Sequence, residues 1–138
     1  MKILVNGNAV GEGLPGTYFP LDRAWSHGDT IDFSLPAAVR VKRYQGADQI
    51  PGKERYAFEY GPILLAAVGL PKTDAAIQAE GGPEALAGLL EAMDGSPLHF
   101  SVRGNPGLKF MPYWQITDEE FTCYPAVPAQ QQLGRNAG

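Results

Sequence analysis

Turn-forming residues recur so often along this chain that no long regular element fits between them. It holds 17 glycines and 12 prolines, together 29 of 138 residues. Average usage would give roughly 12% of positions. With 44% hydrophobic residues the chain is not of disordered composition. The excess glycine and proline therefore punctuates many short elements, which excludes a helical bundle and favours a turn-rich β domain.

Strand signals follow one another. Lys2 to Val5 is apolar and closes on Asn6-Gly7, a hairpin-turn pair. Gly11 to Gly16 reads as a loop and Thr17 to Leu21 as a strand, with Pro20 suggesting an edge. Trp25 to Gly28 reads as a turn. Ile31, Phe33 and Leu35 then alternate with polar residues, as do Val39 and Val41, and later Tyr56, Phe58 and Tyr60. Ile63 to Val68 is uniformly apolar, as in a central strand buried on both faces. Phe100/Val102, Leu108/Phe110 and Phe121/Cys123 mark further short strands.

Helix signals are confined to the middle of the chain. Thr73 to Glu80 is an alanine-rich candidate with Thr73 as cap. In Pro83 to Met93, Leu86, Leu89, Leu90 and Met93 fall at i, i+3, i+4 and i+7, Pro83 suits the first turn and Gly95 the stop. There is no strand–helix alternation and no fixed-period repeat. The economical architecture is mainly β: an antiparallel, jelly-roll-like β-sandwich over residues 1–125. It carries a helical insertion at about 73–94, centred on 83–93, and a flexible tail over 126–138.

Composition narrows function. The net charge is −4, with +1 over residues 1–72 and −5 over 73–138, so nothing marks a nucleic-acid partner. No apolar run reaches the roughly 20 residues of a membrane span, and the start shows no signal-peptide pattern. As it stands, the chain reads as cytoplasmic. The single cysteine, Cys123, excludes an internal disulfide and a multi-cysteine zinc cage. No cofactor or metal is expected.

The chemistry-bearing residue types do not converge. His27 reads as a solvated turn histidine, and neither it nor His99 has a neighbour at metal-ligand spacing. Cys123 lies in a strand pattern, where a free cysteine is packing rather than a nucleophile. Asp118-Glu119-Glu120 reads as a solvated turn without a calcium loop around it. The glycine-rich GEGLPG is followed by strand-like residues, which excludes a dinucleotide fingerprint. Arg40, Lys42, Arg43, Lys53 and Arg55 form a basic, solvated strand face. No catalytic residue is assigned. Tyr18 and Trp25, aromatics in or beside turns, are the candidate carbohydrate contacts; the competing reading packs Trp25 on its sheet and puts Trp114 in the core.

Three segments resemble a known family. They are VNGNAV followed by GTYFPLDRAWSHGDTIDFSLPAAVR, then ERYAFEYGPILLAAVG, then LKFMPYWQITDEEFTCYP. Together, over about residues 4–125, they resemble the non-catalytic β-sandwich region of glycoside hydrolase family 127. These are the β-L-arabinofuranosidase-like proteins, once called domain of unknown function 1680. The family pattern G-Y-x-x-(I/L)-x-R-x-W-x-x-G-D-x-(I/V)-x-(L/F)-x-(L/M)-P is met by Gly16, Tyr18, Leu21, Arg23, Trp25, Gly28, Asp29, Ile31, Phe33, Leu35 and Pro36. One extra residue stands between Gly16 and Tyr18. Tyr60 to Leu64 resembles the family's (R/Y)-G-P-(L/I)-(V/L), and the third segment its closing strand region.

The resemblance implies an accessory region. Family enzymes act from a preceding (α/α) barrel with glutamates and a cysteine-ligated zinc, to which nothing in this sequence corresponds, so no catalytic residue carries over. Full-length relatives begin the sandwich earlier, with an R-I-P-x-W segment. The expectation is thus a truncated sandwich with an open strand edge, through which the chain forms a homodimer. The rival expectations are a module binding plant-type glycans through Tyr18 or Trp25, and a small stand-alone enzyme.

Overall fold

The computed structural model describes residues 1–129, and they form two compact units that meet in sequence at Ala37/Ala38. Both are built from antiparallel sheet, so the chain is mainly β and sandwich-like, as its punctuation predicts.

The first unit is a three-stranded sheet. β1 (Lys2–Val5) turns through Asn6 and Gly7, at φ 49° and 79°, into β2 (Asn8–Glu12). Positive φ at both central residues gives a hairpin turn whose twist matches the strands, and Asn-Gly tolerates it best. β3 (Ile31–Phe33) pairs with the other edge of β1, in the order β2-β1-β3. The first strand is thus central and has no open edge; the outer strands are β2 and β3. Two expectations change. Gly11 and Glu12 belong to β2 rather than to a loop, and Thr17 to Leu21 is irregular rather than a strand.

The second unit is an eight-stranded sheet curled into a half-barrel. Its strands are β4 (Val39–Arg43), β5 (Lys53–Tyr60), β6 (Ile63–Val68), β7 (Leu90–Ala92), β8 (Phe100–Val102), β9 (Lys109–Pro112), β10 (Phe121–Thr122) and β11 (Ala126–Pro128). β4, β5, β6, β9, β8 and β7 follow one another as neighbours. The residues alternating along β5 point Tyr56 and Phe58 into the core, where Phe58 packs on Phe110 with ring centroids 4.4 Å apart. Leu65, Ala67, Phe100, Val102 and Val127 complete it. β6 is buried on both faces along Leu65–Ala67, as its uniform run predicts.

The predicted helices are mostly replaced. Helix α1 spans only Pro83–Ala87, and Leu86 is its one buried residue. Gly88 sits inside the periodic stretch, where continuing the helix would cost about 1 kcal/mol relative to alanine. Leu90–Ala92 instead pairs with β8 as β7, and Met93 is exposed. Thr73 to Glu80 is not helical. Asp74 takes a left-handed φ of 54°, and the segment's backbone groups find tertiary partners. The Ile77 N–H donates to Ala126 O at 2.8 Å; Gln78 N–H donates to Asn105 Oδ1 at 2.8 Å. These bonds satisfy the donors that a helix would otherwise use.

The expected tail also changes. Ala126 and Val127 are buried and β11 pairs with Lys53–Arg55 of β5. Residues 130–138 of that expectation lie outside the described residues.

Candidate functional site

In the first unit, Arg23, Trp25 and Asp29 of the family-like pattern join Asn6, Ser26 and Thr30 in one polar knot. The Asn6 side chain accepts from Thr30 N–H at 2.9 Å and donates to Asp29 Oδ1 at 3.1 Å. Asp29 Oδ2 accepts from Ser26 N–H at 2.7 Å, closing the turn predicted there, and lies 3.6 Å from the Arg23 guanidinium. The Ser26 amide chiefly, then the Asn6 amide and the Arg23 charge, hold the Asp29 carboxyl below its ordinary value. Arg23 in turn lies over the Trp25 ring, 4.8 Å from its centroid. Trp25 is therefore fixed yet 47% exposed, with one face occupied by a cation. Tyr18 is fully exposed and lies in irregular chain, so no packing sets its ring.

In the second unit, a cleft of about 790 Å³ opens where two strands part. β5 and β6 pair only over Phe58–Tyr60 and Ile63–Leu65. Beyond that, β5 takes β11 as its neighbour and β6 takes β10. Ile50, Val68, Leu70, Pro71, Phe121 and Tyr124 give the cleft apolar walls, and Arg55, Lys72 and Glu120 are its charged groups. Arg55 is already committed. It donates to Tyr124 O at 2.9 Å and to Asp48 Oδ2 at 2.7 Å, and lies 5.4 Å from the Tyr44 ring centroid. Tyr44 stacks on Tyr124 at 4.3 Å and donates its hydroxyl to Asp48 at 2.7 Å. That hydrogen bond is the main reason the Tyr44 phenol is raised and the Asp48 carboxyl lowered. The cleft was invisible in the sequence, because it arises from strand divergence rather than from a local pattern.

The other sequence candidates are dispersed or neutralised. Arg40 and Lys42 both reach Glu59, at 3.7 and 3.4 Å. Arg43 pairs with Glu54 and Lys53 with Asp74, each at 2.6 Å. All five members of the basic face are thus ion-paired, which leaves no free cationic patch there. Glu119 folds back onto the N–H of Thr117, which lowers its carboxyl. His99 bonds Gln115 at 2.8 Å, and burial pushes the half-buried Cys123 thiol up, away from the reactive thiolate. Among the described residues, no group of three or more His, Cys, Asp or Glu is placed to hold a metal ion. Trp114 is not core. Pro112 ends β9, and the 3₁₀ turn Tyr113–Gln115 leaves Trp114 54% exposed, edge-on to Tyr113.

No family model matches the chain, and a search of curated proteins finds no match.

Proposed function

We propose that this chain is a non-catalytic accessory β domain of a glycoside hydrolase family 127-like protein, with a scaffold or interface role. One observation carries the reading. Three of the residues that resemble the family pattern, Arg23, Trp25 and Asp29, contact one another or Asn6 and brace the turn at Ser26–Asp29, and no general acid, base or nucleophile is among them in a reactive arrangement. Residues that serve the fold rather than chemistry suit an accessory domain. The test is turnover of β-L-arabinofuranosides by the purified full chain. No release of arabinose is expected, and release by this chain alone overturns the proposal.

A second reading rests on Trp25, which the Arg23 guanidinium holds half-exposed. A ring fixed before binding loses little entropy on stacking against a sugar. On this reading Trp25 is the platform, Tyr18 an adaptable second contact, and the ligand a plant-type glycan. Trp25→Ala should then abolish glycan-array binding while leaving far-ultraviolet circular dichroism unchanged. Silence of the unmodified chain across such glycans removes this reading. As to membranes, no helix among the described residues is long and apolar enough to cross one.

A further inference from the structure

β3 is an outer strand whose apolar residues face outward. Ile31, Phe33 and Leu35 are 47%, 57% and 58% exposed, and no residue from 31 to 35 is even half-buried. The hydrogen-bond phase of the strand follows from its pairing with β1. The Asn6 N–H donates to Thr30 O at 3.0 Å, so the backbone groups of Thr30 point toward β1. Along an antiparallel strand this direction alternates residue by residue. The N–H and C=O groups of Ile31 and Phe33 therefore point to the open edge, and Leu35 follows two residues beyond the end of the strand. Ile31 and Phe33, with Leu35 beyond them, carry the exposed apolar side chains. Between Ile31 and Leu35 the edge holds no proline, lysine or bulge; Asp32 is its one charge and Pro36 ends it.

We propose that this edge is the site at which a second copy of the chain adds, β3 against β3, about a two-fold axis at Phe33. This rests on the interface role proposed above and names its partner. A two-fold pairing must meet itself residue for residue. With the axis at Phe33, Phe33 opposes Phe33 of the other copy, Ile31 opposes Leu35, and Asp32 opposes Ser34. The outward N–H and C=O of Phe33 meet those of its copy, and the pairing extends β3 through Leu35, so that the apolar side chains share one face. Moving the axis to Asp32 would set two carboxylates directly opposite each other, which is destabilising. Charge thus disfavours the register next to it at Asp32. Five residues supply only a fraction of the roughly 800 Å² per partner of a standard interface, so the dimer forms and dissociates with concentration.

The register is read by cysteine cross-linking in a Cys123→Ala background. Opposed residues in a hydrogen-bonded pair have Cα atoms about 5.5 Å apart, within disulfide reach. Leu35 and its own copy would stand roughly 13 Å apart along the strands, outside it. Under a mild oxidant, Phe33→Cys should cross-link at least tenfold faster than Leu35→Cys, and an equimolar mixture of Ile31→Cys and Leu35→Cys should cross-link to each other. Sedimentation should show a concentration-dependent dimer that Phe33→Glu abolishes with circular dichroism unchanged. Equal rates for Phe33→Cys and Leu35→Cys, or faster linking through Asp32→Cys or Ser34→Cys, overturn the proposed register. A dimer that Phe33→Cys does not cross-link overturns β3 as the edge but leaves the interface role standing. A monomer at every concentration overturns this dimer and leaves the accessory role, which turnover tests, standing.

Discussion

Replacing Gly69 by alanine should destabilise the second unit by about 2–5 kcal/mol, from two separable causes. Gly69 follows β6 at the rim of the cleft with φ +91°. Holding an L-residue in a left-handed conformation costs about 1–2 kcal/mol. An added Cβ would also lie 2.1 Å from the carbonyl oxygen of Gly107 and 3.1 Å from its carbon. The obstacle is backbone, so it cannot rotate aside, and relieving such overpacking costs about 1–3 kcal/mol more. Gly95 isolates the first cause: its φ is +73°, and an added Cβ meets nothing within 4 Å. Gly95→Ala should therefore cost only about 1–2 kcal/mol. Urea unfolding of both variants, followed by circular dichroism and tryptophan fluorescence, gives the comparison. At unchanged slope, the Gly69→Ala midpoint should fall clearly below that of Gly95→Ala. Equal midpoints for the two variants would refute the argument that the Gly107 carbonyl excludes a side chain.

Two pH dependences follow from the hydrogen bonding. The Asp29 carboxyl is lowered in the folded state, so its contribution to stability is present above the unfolded carboxylate value of about 3.9 and is lost as pH falls through the lowered folded value. Asp29→Asn should flatten that part of the acid-unfolding curve, and an unchanged curve would show that the knot does not brace the hairpin. Burial and the bond to Glu54 push the Tyr56 phenol up to about 12, so its contribution is complete below about pH 10 and disappears as pH rises toward the folded value. In spectrophotometric titration, Tyr56→Phe should remove a tyrosinate step near pH 12; persistence of that step in the variant would assign it elsewhere.

What the sequence made legible was local. Asn6-Gly7 specifies a hairpin by backbone conformation, and Tyr56, Phe58 and Tyr60 declare one face of β5 by alternation. Alternation says which side chains share a face, not whether anything covers it. The same pattern therefore describes buried Phe58 and exposed Phe33. The stripe from Leu86 to Met93 misled because a leucine every three or four residues also satisfies one buried anchor followed by a strand. β11 gave no signal at all: three residues ending in proline become a strand only because β5 has an open edge waiting for them. Trp25 was legible as a residue of interest, but its fixed posture depends on Arg23 and Asp29, which only the folded turn brings together.

That waiting edge has a kinetic consequence. Lys53–Arg55 pairs with Ala126–Pro128, and Ile77 bonds to Ala126. The sheet is therefore closed by contacts some 50 to 75 residues apart along the chain, each requiring loop closure before it contributes anything. Topologies dominated by such distant pairings fold slowly. During synthesis, everything from β4 to β9 emerges before the residues that complete β5. For that interval, the nascent chain must keep an unpaired, half-buried strand edge away from every other strand in its surroundings.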